Sequence, residues 1–285
     1  MSAAGVRALL ERHGLRPRRD LGQNFLVDEN VAALLVERAG VGPDDTVIEI
    51  GAGLGVLTRA LAARAARVVS LEIDAGLVRL LRAEGRLPGN VTLLHADVLK
   101  ADLRELARGA RAPVRVVANL PYATASPILR ALLAARALLA DWSVLVQREV
   151  AARVAARPGT REYGSLAVLH ALAVRVERTG DLRPGCFHPR PKVFSRALRI
   201  TPRPDSPLRA CAAGDELERV ERVARAAFAT RRKRLANALR TRPELLGGRD
   251  VEALLAGLGI APGARAESLA PERFLALARA LEAPA

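Results

Sequence analysis

The stretch Asn119-Leu120-Pro121-Tyr122 combines residue types that could act on a flat ring carrying an amino group. The β-branched run at 115–118 predicts an inner strand, and the four residues after it predict a turn out of its carboxyl end. Ligands of open α/β sheets bind beyond the carboxyl ends of strands. An asparagine oxygen and a backbone carbonyl can accept two N–H bonds, and a tyrosine ring can stack on a base. Taken alone, these residues fit an ordinary strand-to-loop turn with a structural tyrosine equally well.

A glycine-rich loop is the second candidate site. Thr46–Ile50 predicts a strand, which runs directly into Gly51-Ala-Gly-Leu-Gly55, and a helix resumes at Val56. A strand, a glycine turn and a helix in this order are typical of a nucleotide-binding βα unit. The G-x-G-x-G spacing lacks the third glycine position of the dinucleotide fingerprint, and tight packing alone could also explain the glycines.

Two carboxylates follow the next two predicted strands. Glu72 ends the strand at 67–71, where an acidic residue can accept hydrogen bonds from both ribose hydroxyls of an adenosine. Asp97 follows the strand at 91–95, where it can accept a bond from an adenine amino group or cap the next helix. Asp74 fits better as the N-cap of the helix that it precedes.

The net charge indicates a polyanionic partner. The 285 residues carry a formal charge of +15, which favours nucleic acid. A run of basic residues without an acidic one, between positions 222 and 240, predicts an RNA or DNA contact. Its candidate contact residues are Arg222, Arg225, Arg231, Arg232, Lys233 and Arg234. The chain has no run of about 18 apolar residues, and its two cysteines lack metal-ligand spacing, so we expect no membrane span, no metal site and a reduced, cytoplasmic setting.

The remaining pattern predicts an α/β region followed by helices. Further strands are expected at 142–147, 173–176 and 194–200, and Pro127 suits the first turn of a helix that runs to about Leu139. Three prolines within 201–207 mark a linker, and the pattern after it is helical.

Taken together, these motifs resemble the KsgA/RsmA family of ribosomal RNA adenine dimethyltransferases, which use S-adenosylmethionine. The resemblance covers nearly the whole chain in family order, and the set of motifs is highly specific. The matching segments are Leu21–Leu26, Glu49–Gly55, Glu72–Asp74, Ala96–Asp97, Asn119–Tyr122, Tyr163–Gly164, Phe187–Ser195 and a basic C-terminal helix at Phe228–Leu239.

The resemblance implies a Rossmann-like class I methyltransferase domain with a mostly parallel seven-stranded sheet at 1–203, and a small all-helical, RNA-contacting domain at 204–285. It implies that the target adenine lies against Tyr122 and Phe187, beside a catalytic turn formed by Asn119, Leu120 and Pro121. The implied S-adenosylmethionine contacts are Asn24, Leu26, Gly51, Gly53, Glu72, Asp97 and Asn119.

The resemblance also implies a reaction and a partner. The exocyclic amino groups of two adjacent adenosines, in a 3′-terminal hairpin loop of 16S rRNA, would each be methylated twice during ribosome biogenesis. The partner would be small-subunit rRNA or a pre-30S particle, with no membrane and no obligate protein partner.

Four other functions compete with this one. A macrolide-resistance type of 23S rRNA adenine dimethyltransferase shares the fold and the chemistry, but Leu120 and the loop Phe187–Ser195 favour the small-subunit family. A DNA adenine methyltransferase would carry an acidic residue in place of Asn119, and a nicotinamide dehydrogenase would need a hydride-transfer site. A non-catalytic ribosome assembly factor would be recognised by a damaged cofactor pocket.

Overall fold

The computed structural model describes residues 3–108, 110, 114–208 and 216–282. It divides into two compact units. The first unit contains the chain up to residue 151 and residues 176–202, and the second contains residues 152–175 and the chain from residue 203 onward. The second unit thus includes the segment 152–175 in addition to the domain predicted at 204–285. None of the helices in the described ranges has the length and hydropathy that a membrane span requires.

A seven-stranded, mostly parallel sheet is the framework of the first unit in the described part of the chain, as predicted. The strands are β1 Phe25–Leu26, β2 Thr46–Ile50, β3 Arg67–Glu72, β4 Val91–His95, β5 Val114–Asn119, β6 Asp141–Gln147, β7 Val174–Leu182, β8 Phe187–His188 and β9 Ser195–Pro202. The sheet order is β4-β3-β2-β5-β6-β9-β7, parallel from β4 to β6 and antiparallel between β6 and β9. The short strands β1 and β8 form a separate antiparallel pair.

Helices cover both faces of this sheet, which is why its central strands are almost continuous apolar runs. They are α1 Ala3–Arg12, α2 Glu29–Arg38, α3 Val56–Ala62, α4 Ala75–Glu84, α5 Leu103–Arg108, α6 Ala125–Ala134 and α7 Arg148–Val154. Residues of α2 and α3 form one core cluster with Val47 and Val68, and residues of α1 and α4 form another with Leu54.

Side-chain caps fix where several of these helices begin. Asp28 and Asp74 accept bonds from first-turn N–H groups of α2 and α4, as predicted for both residues. Asp97 does not cap α5, because its carboxylate bonds to Leu99 N within the preceding turn and Asp102 takes the first-turn N–H groups instead. The helix that contains Pro127 ends at Ala134, before the predicted Leu139, since the chain continues there as a short 3-10 turn.

Glu49 is a fully buried carboxyl in β2. One of its oxygens, Oε2, accepts bonds from Thr58 Oγ1 (2.7 Å) and Ser70 Oγ (2.6 Å), while Oε1 has no hydrogen-bond partner among the described residues. Burial raises the pKa of Glu49 to about 7, and the two hydroxyl bonds oppose that rise. The group therefore titrates near neutral pH inside the core.

We expect Glu49→Gln to flatten the dependence of stability on pH. Between its ordinary pKa and about 7, the unfolded chain has lost the Glu49 proton while the folded chain still holds it, so the free energy of unfolding falls as pH rises through this window. Without that titration, the free energy of unfolding should fall by a few kcal/mol less between about pH 5 and about pH 8. The melting temperature should fall correspondingly less over the same range. Thermal melts across this range test it, with exposed Glu37→Gln as the matched control; an equal flattening in both variants would contradict the assignment.

The second unit is helical in its described residues. Its helices are α8 Ser165–Ala173, α9 Glu216–Phe228, α10 Leu235–Arg240, α11 Pro243–Leu246, α12 Val251–Gly257 and α13 Pro271–Glu282. An aromatic cluster holds it together: Phe228 lies between Tyr163 and Phe274, with both ring-centroid distances 5.6 Å. The buried Tyr163 hydroxyl donates to Leu269 O at 2.9 Å, which satisfies its polar end.

Candidate active site

A cavity in the first unit lies where the carboxyl ends of β2, β3, β4 and β5 meet. This is the edge at which open α/β sheets bind their ligands. Five segments of the chain line it: 20–26, 50–57, 71–73, 96–99 and 119–128, the second and the last with gaps. Every residue predicted to contact the cofactor is among them.

The glycine loop wraps closely around the end of β3. Gly51 and Gly53 have φ angles of +84° and +56°, a region that side chains rarely adopt. The N–H groups of Gly51 and Ala52 donate to Leu71 O at 2.8 and 3.2 Å, and a Cβ on Gly53 would stand 3.2 Å from the Phe25 ring. The loop therefore needs glycine for its conformation and for its close packing.

Glu72 is a fixed carboxylate in the cavity wall. Its Oε2 accepts a bond from Gly53 N and its Oε1 accepts one from Asp74 N, both at 2.9 Å. Burial raises the pKa of Glu72, while these N–H bonds oppose the rise. Each carboxylate oxygen keeps a further acceptor position, so Glu72 can still bind hydroxyl groups of a ligand.

Asn119 is the last residue of β5, and a hydrogen bond to the backbone of Asn24 orients its side-chain amide. Its Nδ2 donates to Asn24 O at 3.0 Å, and this bond identifies which end of the amide carries the nitrogen. Its Oδ1 is buried in the cavity wall and has no hydrogen-bond partner among the described residues. A buried acceptor left without a partner costs about 1–3 kcal/mol, so this oxygen is suited to a ligand's N–H group.

The segment before β1 packs directly on the turn that follows β5. A Cβ on Gly22 would stand 2.8 Å from Ala123 N and 3.2 Å from Tyr122 N, and Gly22 has a φ of +64°. Asn24 Nδ2 donates back to Gly22 O at 3.2 Å. Leu120 and Pro121 line the cavity, and Leu120 N is held by Leu145 O at 3.0 Å.

Neither of the two predicted aromatic contacts lines the cavity. Tyr122 is half-buried beside the cavity, and its hydroxyl bonds to Ser195 Oγ at 2.6 Å; burial raises its pKa. Phe187 is 3% exposed and packs in the core cluster that contains α2 and α3. Its pairing partner Leu26 belongs to this core cluster and also lines the cavity, whereas Phe187 lies in the core cluster alone.

The basic run of the second unit lies in a loop as well as on helices. The family-like segment 228–239 is not one helix: α9 ends at Phe228 and α10 begins at Leu235. Arg231 donates to Arg161 O at 2.7 Å, and Leu235 N donates to Ala264 O at 2.8 Å, so contacts outside the run hold the break. All six predicted contact residues are exposed, with Arg222 and Arg225 on α9 and Arg231, Arg232, Lys233 and Arg234 in the loop.

Comparison with known proteins assigns this architecture to a family. Residues 14–283 match the sequence model of ribosomal RNA adenine dimethylases. The chain belongs to this family. Ribosomal RNA adenine dimethylases use S-adenosylmethionine and methylate rRNA, so this protein is an S-adenosylmethionine-dependent rRNA adenine dimethyltransferase.

Similar members of the family align along almost their whole length. The chain is 42% identical to ribosomal RNA small subunit methyltransferase A of Geobacter metallireducens, over 95% of this chain and 97% of that protein. It is also 42% identical to the protein of that name from Moorella thermoacetica, over 96% of each.

Two solved structures share the fold. A dimethyladenosine transferase from Plasmodium falciparum superposes with a TM-score of 0.72 at 22% identity, covering 89% of this chain and 95% of that one. The 23S rRNA methyltransferase ErmE superposes with a TM-score of 0.60 at 30% identity, covering 91% of this chain and all of that one.

The cavity of this rRNA adenine dimethylase fits an adenosine-containing cofactor. Sequence reasoning identified its glycines and carboxylates but missed two apolar residues, Ile73 and Leu99, which line the cavity while each is 43% exposed. Each follows a predicted carboxylate by one or two residues, so the signal was an apolar residue just beyond a strand-end acid. Exposed apolar side chains next to a buried carboxylate suit a flat base joined to a ribose.

We expect Glu72→Ala to weaken S-adenosylmethionine binding by about 10- to 100-fold, because a carboxylate hydrogen bond to ribose contributes about 1.5–3 kcal/mol. Glu72→Gln should lose less affinity, since its amide oxygen can still accept one of the backbone bonds. Calorimetric titration measures the Kd of each variant. Glu84→Ala, which removes a paired carboxylate outside the cavity, is the control. An unchanged Kd for Glu72→Ala would remove Glu72 from the binding site.

Proposed function

We propose that this protein dimethylates two adjacent adenosines in a 3′-terminal hairpin loop of 16S rRNA, during assembly of the small ribosomal subunit. The main structural support for this site is the buried Asn119 Oδ1. Asn24 orients the amide, and Oδ1 has no hydrogen-bond partner among the described residues. The substrate follows from relatives named small subunit methyltransferase A at 42% identity.

The target amine needs orientation more than it needs a base. Its lone pair is delocalised into the adenine ring, and bonds from both N–H groups to Asn119 Oδ1 and the Leu120 carbonyl would favour a pyramidal nitrogen with the lone pair free. Holding reactants in line lowers a barrier by roughly 7–11 kcal/mol. The amine proton becomes acidic only after the new N–C bond has formed, so no strong base is required. Since Asn119 is neutral, the monomethylated amine can rebind through its remaining N–H.

Residues around the cavity would hold S-adenosylmethionine, which supplies a methyl group on a positively charged sulfur. Glu72 would accept the ribose hydroxyls, Asp97 the adenine amino group, and Ile73 and Leu99 would contact the flat base. Gly51 and Gly53 would let the backbone approach the methionine end. Asn24, Leu26 and Asn119 would complete the wall beside the target amine.

We expect Tyr122→Ala to lower turnover by about 5- to 100-fold, since base stacking contributes on the order of 1–3 kcal/mol, while cofactor affinity stays close to wild type. Tyr122→Phe keeps the ring and should retain most activity. It loses the bond to Ser195 and should be about 1 kcal/mol less stable. Single-turnover methylation and thermal melts measure both effects. If Phe is as inactive as Ala, the hydroxyl and not the ring matters.

The substrate assay offers radiolabelled S-adenosylmethionine with purified small-subunit particles, large-subunit rRNA and duplex DNA side by side. Preferential labelling of small-subunit rRNA, at two neighbouring adenosines by mass spectrometry, is the expected result. Labelling of large-subunit rRNA would favour the 23S alternative. The 30% identity to the 23S rRNA methyltransferase ErmE is the reason to test that alternative. Binding to pre-30S particles with no labelling of any RNA would favour a non-catalytic assembly factor.

A further inference from the structure

Phe194 is the most exposed aromatic residue of the chain. The sequence has five phenylalanines, all within the described residues; Phe194 is 47% exposed, and the other four are buried or half-buried. Val193 beside it is 42% exposed. The proposed chemistry uses neither of these two side chains.

The backbone of Phe194 is fixed at the catalytic edge of the sheet. Its carbonyl accepts a bond from Arg148 N at 2.9 Å, and the next residue, Ser195, pairs with Gln147 at the carboxyl end of β6. Ser195 is buried, and its hydroxyl bonds to Tyr122. Because β6 separates β9 from β5 and strands lie about 4.8 Å apart, Phe194 begins roughly 10 Å from the strand that carries Asn119.

Positive charge flanks this apolar pair. Arg148, Arg190 and Lys192 are all exposed, and none of them has a salt bridge among the described residues. Glu149 is the acidic neighbour in sequence, and the carboxylate of Asp181, which pairs with Arg196, is near enough for the Arg148 charge to help lower its pKa. An aromatic face between cations matches the two parts of a single-stranded nucleotide, since bases stack on aromatic rings and phosphates bind Lys and Arg.

We infer that Phe194, supported by Val193, stacks on a nucleobase adjacent to the target adenosine. This inference rests on the proposed function, since it requires an RNA strand in the catalytic site. It assigns the apolar pair to RNA and not to a ribosomal protein, because Arg148, Arg190 and Lys192 adjoin it and it begins two strands from the one that carries Asn119.

Fluorescence can detect the stacking directly. The chain has one tryptophan, Trp142, which is fully buried, so Phe194→Trp adds a single exposed reporter. Titration with whichever RNA the wild type methylates should quench its emission. Leu34→Trp replaces an exposed apolar residue of similar exposure on α2 and should show no quenching. Equal emission with and without bound RNA at Phe194→Trp would overturn the inference.

Kinetics distinguish stacking from a structural role. Phe194→Ala should raise the KM for small-subunit particles by about 5- to 100-fold, and Phe194→Trp should keep it near wild type. The Kd for S-adenosylmethionine should not change in either variant. An unchanged KM with normal wild-type methylation would refute the stacking and leave the proposed function standing. A defect on particles that is absent on protein-free rRNA would instead assign the patch to a protein contact. Failure of the wild type to bind or methylate any RNA would refute both.

Discussion

Asn119→Ala will lower the rate of methyl transfer by about 10²- to 10³-fold at saturating S-adenosylmethionine, the range found when one preorganised polar group is removed from a transition state. The reason is geometric: the variant loses a buried oxygen that Asn24 orients and that has no hydrogen-bond partner among the described residues, so that it can accept the amine N–H. Saturating cofactor separates this effect from any loss of cofactor binding. Single-turnover methylation of small-subunit particles measures it.

The control for this variant is Asn90→Ala. Asn90 also donates through Nδ2, to Ala62 O and Ala65 O. It lies just before β4, at the amino ends of the parallel strands, whereas the cavity lies at their carboxyl ends. Asn90→Ala loses two side-chain bonds and should lose about 1–3 kcal/mol of stability. Asn119→Ala loses one bond and also removes the unpartnered Oδ1, so it should lose less stability than the control. Only Asn119→Ala should lose turnover. If both variants slow equally, the Asn119 effect is structural and the amide does not orient the amine.

Charge reversal in the loop between α9 and α10 should have the second large effect. We expect the triple change of Arg232, Lys233 and Arg234 to Glu to weaken RNA binding on the order of 10²-fold near physiological salt, and to reduce the slope of log affinity against log salt by about 2–3. These three residues are exposed and have no salt bridge among the described residues. Arg231 is left unchanged, because it bonds to Arg161 O and stabilises the loop.

The matched control carries the same change in net charge elsewhere. The control residues are three exposed arginines of the first unit, Arg64, Arg67 and Arg82. Arg67 is the first residue of β3, at the end of the strand away from the cavity. Reversal of these three charges should alter the salt slope much less. Filter binding at several salt concentrations compares the two triples, and S-adenosylmethionine affinity should be unaffected in both. Equal losses would mean that overall charge, and not the loop, governs binding.

Local signals explain why most of the fold could be predicted from the sequence. The strands at 46–50 and 67–72 are apolar runs closed by glycine or an acid, and Asp28 and Asp74 stand immediately before helical patterns. These features need no knowledge of distant residues. The glycines and the strand-end acids of the site were predictable for the same reason, since the sheet brings the carboxyl ends of its parallel strands together.

Features that depend on distant contacts were not predictable. The segment 229–234 consists mainly of good helix formers, yet it separates α9 from α10. Arg231 within it donates to Arg161 O, and Leu235 N at its end donates to Ala264 O. Phe187 has the sequence context of an active-site aromatic, but its pairing with Leu26 buries it. No local pattern encodes either contact.

The contacts of the segment 22–26 restrict how the active site can vary. Gly22 packs on the backbone of Ala123, Asn24 holds Asn119 across 95 residues of sequence, and Leu26 pairs with Phe187. A change of size or polarity in the turn at 119–122 therefore alters the fit of this N-terminal segment. Redesign of the turn for another base must change both stretches in concert, so libraries that vary 119–122 alone will sample mostly misassembled sites.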